Sequence, residues 1–158
     1  MAVKKKEPEN ESLSDVLSGL RNKDHLEVGA FSGFDAAPKG LSTGNITIDA
    51  LTGIGGFPAG RVTELLGPPS SGKTTAALQA AGQVQKNGGK VAFFDYEHAL
   101  DPVYCAALGL DVHAEESFIY MKPDHFEQGA NAFRRMVRTG EIQMGIFDSV
   151  AAMVTKSE

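Results

Sequence analysis

Residues 67–74 read Gly67-Pro68-Pro69-Ser70-Ser71-Gly72-Lys73-Thr74, and this stretch decides the fold because it matches the pattern G-x-x-x-x-G-K-[ST] in full. The glycines of such a loop let successive backbone N–H groups point inward at phosphate oxygens, which side chains would otherwise block. Lys73 can reach the outer phosphates, and the Thr74 hydroxyl suits a Mg²⁺ ligand position. The pattern therefore predicts a loop that binds a nucleoside triphosphate.

The segments on either side of the loop have the character that this motif requires. Residues 62–66 are predicted to form a buried strand that leads directly into the loop. A helix starting near Gly72 is predicted next, because four apolar residues recur on one helical face: Ala77, Leu78, Ala81 and Val84. The positive end of its dipole would face the phosphates. A Gly/Ser surface turn that matches by chance is the alternative, and it does not explain a strand and a helix in this order.

Composition limits the class of protein. A chain of 158 residues with 42% hydrophobic content predicts one domain with a packed core. The net charge of −5 provides no overall basic field, so any contact with DNA would have to be local. Cys105 is the single cysteine, which excludes an intramolecular disulfide and fits a reducing compartment. No apolar stretch is long enough to cross a membrane, so we expect a soluble cytoplasmic protein.

The N-terminal part differs from the rest of the chain. Residues 1–11 are charged and lack apolar spacing, so we expect them to be disordered. Apolar residues then recur at helical spacing over residues 12–20. Such a short helix is marginal alone and must pack on its own core or on another subunit. A polar, glycine-containing stretch over residues 21–40 separates it from the loop, which favours an arm over a core element.

The rest of the chain alternates between strands and helices. A short helix is predicted over residues 45–52, although a dinucleotide fingerprint in the glycines that follow fails because Pro58 stands where a glycine is needed. Strands are predicted at residues 91–94, 118–121 and 144–147. Helices are predicted over residues 102–108, with Asp101 as the N-cap, and from Phe126 to near Gly140. This alternation predicts an α/β fold with a parallel sheet and helices on its faces.

Two carboxylates stand at predicted strand ends, where ligands bind in open parallel sheets. Asp148 is placed to hold Mg²⁺ through its water shell, and the alternative is a helix cap after a strand. Glu97 could polarise a water for attack on the γ-phosphate, and the alternative is a solvated glutamate. Spacing alone leaves the choice for Glu97 open.

Several stretches together closely resemble the bacterial RecA recombinase family. They are residues 41–44 (LSTG), 55–61 (GGFPAGR), 67–75, 95–102 (DYEHALDP) and 147–152 (FDSVAA), in the family's order. The resemblance covers roughly residues 41–158, and the EHALDP segment separates it from other P-loop ATPases. It implies a RecA-like P-loop NTPase sheet, incomplete at its C-terminal side. It also implies that residues 1–40 are a tail and oligomerisation arm and residues 41–158 a partial ATPase core.

The resemblance implies roles for individual residues. Glu97 would activate the hydrolytic water and Lys73 would serve the phosphates as the second catalytic residue, while Thr74 and Asp148 would support Mg²⁺. The positions that would bind ATP are Gly67, Pro68, Pro69, Ser70, Ser71, Gly72, Lys73, Thr74, Thr75, Asp101 and Tyr104. The last two match positions that contact adenine, with capping and packing as their respective alternatives. Pro69 replaces an acidic residue common in the family loop, which should not prevent phosphate binding.

The family resemblance also implies a function larger than this chain. It implies an ATP-dependent protein that forms a homo-oligomeric filament on single-stranded DNA and promotes homologous pairing and strand exchange in recombination and repair. In the family the DNA-binding loops lie beyond the position matching Asp148, and only ten residues follow Asp148 in this sequence. We therefore expect this chain to bind ATP and Mg²⁺ but to hydrolyse ATP poorly, and to expose an open sheet edge. A regulatory or filament-capping piece without turnover is one alternative. A small-molecule kinase is another, but it would need a lid and an acceptor pocket that the sequence does not show.

Overall fold

The computed structural model describes residues 12–23 and 38–156. The chain divides into two units, residues 1–36 and 37–158. In the first unit the described part is one helix, α1 (Leu13–Lys23), which confirms the predicted helix and extends it by three residues. Ser12 and Asp15 cap its start reciprocally, each side chain accepting from the other's backbone N–H at 3.3 Å. The prediction of disorder for residues 1–11 lies outside the described residues.

The second unit alternates helices with strands, as the sequence predicts. In chain order its elements are β1 (Gly40–Leu41), α2 (Ile46–Leu51), β2 (Phe57–Pro58), α3 (Lys73–Lys86), β3 (Lys90–Asp95), α4 (Pro102–Ala107), β4 (Phe118–Met121), α5 (Phe126–Val137), β5 (Ile142–Asp148) and a 3₁₀ turn, Val150–Ala152. Two of the helices in this unit begin at side-chain caps, and the sequence predicts the one at Asp101. The Asn45 side chain accepts from the first turn of α2, and Asp101 does the same for α4, which has proline at its first position. No helix of the described residues is long and apolar enough to span a membrane.

A three-stranded parallel sheet forms the centre of this unit, in the order β4-β3-β5. The central strand β3 is buried from Val91 to Asp95, as its continuous apolar run predicts for a strand covered on both faces. The register places Asp95 beside Asp148, so the last residues of β3 and β5 lie at the same edge of the sheet. β1 and β2 form a separate antiparallel pair. The α/β fold with helices flanking a parallel sheet is thus confirmed.

The core lies on both faces of the sheet, because alternate residues of β3 point in opposite directions. Phe93 packs with the buried face of α3 and with Cys105 of α4, a free thiol that is fully buried. Phe94 points to the other face, where it stacks on Phe147 at 4.4 Å between ring centroids and meets Phe133 of α5 edge-on at 5.8 Å. The sheet is therefore held between α3 and α4 on one side and α5 on the other.

The predicted strand over residues 62–66 is wrong. These residues pair with no described strand, and Val62 and Leu66 are 99% and 81% exposed. A run of five residues becomes a strand only where a neighbouring strand supplies its ladder hydrogen bonds. β5 lies at one lateral edge of the sheet and pairs with β3 alone among the described strands. An apolar run by itself does not determine whether such pairing occurs.

Candidate nucleotide-binding site

The loop of residues 67–72 ends at the N-terminus of α3. Gly72 is the N-cap residue, with φ of 85°, a left-handed conformation that glycine adopts without strain. Among the described residues no side chain caps this helix, and its first turn contains no acidic residue. The first N–H groups of a helix have no intrahelical acceptor, and the helix dipole places positive charge there. The start of this 14-residue helix therefore has the properties of an anion site.

The Lys73 ammonium folds back over this loop. Its Nζ donates hydrogen bonds to the carbonyl oxygens of Gly67, at 3.0 Å, and Pro68, at 2.8 Å. These bonds hold a positive charge within the curl of the backbone that the motif provides for phosphate. A phosphate oxygen is a stronger acceptor for an ammonium group than a neutral carbonyl. Lys73 is thus positioned to exchange these carbonyls for a bound anion.

Thr74 and Asp148 meet although they lie 74 residues apart in the chain. The Thr74 hydroxyl donates to Oδ2 of Asp148 at 2.8 Å. The pKa of Asp148 lies above its ordinary value, chiefly because of burial and also because of the negative charges of Glu97 and Asp95. The hydrogen bond from Thr74 and the charge of Lys73 oppose this rise. A cation bound beside Asp148 would stabilise its charged form and so offset the cost of burial and the repulsion from Glu97 and Asp95.

The Thr74 hydroxyl and the Asp148 carboxylate suit a Mg²⁺ ion that protein and phosphate oxygens bind together, more than an ion enclosed by protein ligands alone. No group of three or more His, Cys, Asp or Glu side chains that could hold a metal occurs within residues 12–23 and 38–156. Mg²⁺ usually keeps several waters and takes one or two protein ligands together with substrate phosphates. One hydroxyl and one carboxylate beside a phosphate-binding loop fit that pattern.

Glu97 is exposed and lies at the same edge of the sheet. Its Oε1 accepts a hydrogen bond of 2.5 Å from the hydroxyl of Ser149, which directly follows Asp148. Ser149 is the N-cap residue of the 3₁₀ turn, but its side chain makes no capping bond, and its hydroxyl donates to Glu97 instead. The sequence reasoning missed Ser149. The signal that could have found it is a hydroxyl residue directly after a strand-end aspartate.

Asp101 and Tyr104 lie at the start of α4. The Asp101 carboxylate accepts from the backbone N–H groups of Val103 and Tyr104 at 2.8 and 3.3 Å, so the capping role is confirmed. The Tyr104 hydroxyl shares a hydrogen bond of 2.7 Å with Oγ1 of Thr75, in the first turn of α3. This contact brings α4 to the phosphate loop. The expected contacts of Asp101 and Tyr104 with adenine stay predictions.

The candidate site lies at the exposed carboxyl ends of β3 and β5 and is not a closed pocket. An open cleft of about 580 Å³ lies elsewhere, beside Lys90 and Ile142 at the beginning of β3 and β5. Ligands of open parallel sheets bind outside the carboxyl ends of the strands. The cleft therefore lies at the wrong end of the sheet for this chemistry, and we assign the site from the side-chain contacts.

Comparison with known proteins points to one family. Residues 26–158 match the family model of the RecA N-terminal domain. The chain is 50% identical over 117 residues to "Protein RecA" of Staphylococcus epidermidis and of Staphylococcus aureus, which covers 74% of this chain and 33% of each relative. It is 49% identical over 118 residues to that of Staphylococcus carnosus, covering 75% of this chain and 32% of the relative. The chain thus spans about a third of the length of the curated relatives that it matches.

Proposed function

This chain belongs to the bacterial RecA family, and we propose that it binds ATP and Mg²⁺ at residues 67–75 as the nucleotide-binding part of a DNA recombinase. The observation that carries the proposal is the hydrogen bond between Thr74 and Asp148. This bond joins the loop hydroxyl and the strand-end carboxylate, the two protein groups that hold Mg²⁺ in P-loop NTPases.

The residues of the loop and of the strand ends divide the binding work. Backbone N–H groups at the start of α3 would hold phosphate oxygens, and Lys73 would transfer its hydrogen bonds from the Gly67 and Pro68 carbonyls to them. Thr74 and Asp148 would hold Mg²⁺, which supplies charge neutralisation at the phosphates when it is bound. Asp101 and Tyr104 would border the adenine.

Glu97 would act as the base for hydrolysis. Ser149 fixes one oxygen of its carboxylate, so that the other oxygen can accept a proton from a water molecule. We propose slow turnover for this chain alone, because phosphoryl transfer in related systems depends on charges supplied in trans that change rates by roughly 10³ to 10⁵.

The larger function is also a proposal. A protein of this family would assemble as a homo-oligomeric filament on single-stranded DNA in the cytoplasm and promote homologous pairing and strand exchange in recombination and repair. Most of the DNA contacts would come from regions outside residues 1–158. The relatives' name supports this proposal, since they are each called "Protein RecA".

The test measures ATP binding and ATP hydrolysis on the same preparations. Fluorescent ATP is titrated with and without Mg²⁺ into the wild type, Lys73→Ala, Thr74→Val and a control, Lys86→Ala. Lys86 is the last residue of α3 and lies about 20 Å from Lys73 along the helix. Loss of a charge-assisted phosphate contact should weaken binding by roughly 10- to 100-fold in Lys73→Ala. Thr74→Val should lose the Mg²⁺ dependence, and Lys86→Ala should match the wild type.

Hydrolysis with and without single-stranded DNA separates the remaining possibilities. Mg²⁺-dependent binding without DNA stimulation supports the nucleotide-binding part of a recombinase. Strong DNA stimulation abolished by Lys73→Ala would show that residues 1–158 already contain a DNA site. Equal binding by the wild type and Lys73→Ala would refute the assignment of the loop.

A further inference from the structure

Asp95, the last residue of β3, is a buried carboxylate, with 2% of its surface exposed. Its oxygens accept one hydrogen bond from the Tyr120 hydroxyl, at 2.8 Å, and four from the backbone. The backbone donors are the N–H groups of Glu97 (3.1 Å), His98 (2.6 Å), Ala99 (3.4 Å) and Leu100 (3.2 Å). A single side chain therefore satisfies four consecutive amides of the loop that carries Glu97.

The loop of residues 97–100 has no regular secondary structure to hold it. His98 adopts a left-handed conformation, with φ of 56°, which is unfavourable for a residue other than glycine and persists only where the surroundings impose it. Backbone N–H groups near a buried strand end must find acceptors, and Asp95 provides all four. The conformation that presents Glu97 to Ser149 therefore depends on Asp95.

Tyr120 reaches Asp95 from the neighbouring strand. It lies on β4 opposite Phe93 in the parallel register, and the two rings stack with centroids 6.4 Å apart. Lys122 lies 5.6 Å from the centre of the Tyr120 ring. The phenol stacks on Phe93 although Tyr120 is 39% exposed, and its hydroxyl completes the hydrogen-bond set of Asp95 from the side opposite β5.

The protonation states suit this arrangement. Burial raises the pKa of Asp95, but the hydrogen bonds from Tyr120 and from the loop amides outweigh it, so the pKa lies below its ordinary value. Burial, with the hydrogen bond and charge of Asp95, raises the pKa of Tyr120 to about 12. Near neutral pH the carboxylate is the acceptor and the phenol is the donor.

We propose that Asp95 and Tyr120 are positioning residues that fix the loop of residues 97–100, so that Glu97 is presented for ATP hydrolysis while neither of them contacts the nucleotide. This inference rests on the proposed function and deepens it. It separates two properties of the site. ATP affinity depends on residues 67–75, Asp101, Tyr104 and Asp148, whereas the rate of the chemical step depends also on Asp95 and Tyr120.

The experiment compares two Tyr→Phe substitutions in the full chain. Tyr120→Phe removes a hydroxyl that is hydrogen-bonded to Asp95. Tyr96→Phe is the matched control, because the Tyr96 hydroxyl is buried and has no hydrogen-bond partner in the described part of the chain. Single-turnover hydrolysis is followed with protein in excess over ATP, and ATP affinity is measured on the same samples. Glu97→Gln sets the rate expected when the base is lost, and Asp95→Asn tests the carboxylate itself.

Tyr120→Phe should slow the single-turnover rate by roughly tenfold, the change expected when one hydrogen bond to a charged group stops contributing to the placement of the base. Its ATP dissociation constant should stay within about twofold of the wild type, since the loop of residues 67–75 is unchanged. Amide hydrogen exchange of residues 97–100 should become faster in Tyr120→Phe and should not change in Tyr96→Phe. Asp95→Asn should slow the single-turnover rate and speed the amide exchange of residues 97–100 more than Tyr120→Phe does, again with little change in the ATP dissociation constant.

The other outcomes decide either against the positioning role or against the function on which it rests. Equal rates for Tyr120→Phe and Tyr96→Phe would overturn it, as would a parallel fall of rate and affinity in Tyr120→Phe, which marks a general structural role. A wild type that binds ATP but shows no single turnover, or a Glu97→Gln variant as fast as the wild type, overturns the positioning role and leaves nucleotide binding intact. Absence of Mg²⁺-dependent ATP binding in the wild type refutes the proposed function instead.

Discussion

Gly129, on the buried side of α5, packs directly against the hydroxyl of Tyr96. A Cβ atom added at Gly129 would lie 2.1 Å from the Tyr96 oxygen, 3.2 Å from Cζ of the same ring and 3.1 Å from Cγ of Pro123. The first distance is a clash, and the other two need shifts of only a few tenths of an ångström. Gly129→Ala should therefore destabilise the protein almost entirely through one oxygen atom.

The magnitude follows from opposing effects. Overpacking a buried site costs about 1–3 kcal/mol, whereas alanine in place of a helical glycine recovers up to about 1 kcal/mol. We expect Gly129→Ala to lower the free energy of unfolding by about 1–2 kcal/mol. Tyr96→Phe should be neutral or stabilising by up to roughly 1 kcal/mol, since a buried hydroxyl without a partner carries a desolvation penalty. Combining both changes removes the clashing oxygen, so a coupling free energy of about 1–2 kcal/mol should appear.

Urea unfolding of the wild type, the two single variants and the double variant, followed by circular dichroism, measures this cycle. The double variant should be nearly as stable as Tyr96→Phe alone. The reasoning is refuted if Gly129→Ala costs the same free energy with and without Tyr96→Phe, because additive effects mean that the two residues do not meet.

Three further predictions concern other contacts. Because the hydrogen bonds of Asp95 hold its pKa below the ordinary value despite burial, its stabilisation is present above about pH 4 and is lost as pH falls through the folded-state pKa. Asp95→Asn should thus cost roughly 2–4 kcal/mol in urea unfolding at pH 7 and clearly less at pH 3, and equal costs would contradict this reasoning. Gly19→Ala should slow amide exchange across α1, since its Cβ would meet no atom of the described residues within 4 Å and alanine favours the helix by about 0.5–1 kcal/mol. Unchanged exchange would contradict this. Glu141→Gln breaks the exposed ion pair with Lys90, yet it should leave the unfolding midpoint unchanged at about 0.15 M salt, where such pairs are screened, and a clear shift would show that the pair contributes more.

Much of the fold could be predicted because its signals are local. Asp101 followed by Pro102 marks the start of α4, and the structure begins the helix at that proline. The continuous apolar run at residues 91–94 correctly predicts β3. The predicted bounds of β4, residues 118–121, are those of the structure. These signals depend on residues within one or two turns of each other, so a single sequence contains them in full.

The parts that could not be predicted depend on distant residues. The Tyr120 hydroxyl meets Asp95 across 25 positions, and Ser149 meets Glu97 across 52. A strand aspartate has many local uses, so its sequence context does not indicate that it will collect five hydrogen bonds. The prediction of a strand over residues 62–66 failed for a related reason. Strand pairing depends on a neighbouring strand and not on the apolar run alone.

The carboxylates at this edge of the sheet differ in how their charge is compensated. Asp95 has five hydrogen-bond donors, and its pKa lies below the ordinary value. Glu97 is exposed to water and held by Ser149. Asp148 accepts from Thr74, and burial together with its two carboxylate neighbours keeps its pKa above the ordinary value. Of these three carboxylates, Asp148 therefore has the negative charge that protein groups compensate least, and it lies beside the Thr74 hydroxyl of the phosphate loop. A bound cation would stabilise Asp148 more than either neighbour, and this electrostatic difference is what supports placing Mg²⁺ between Thr74 and Asp148.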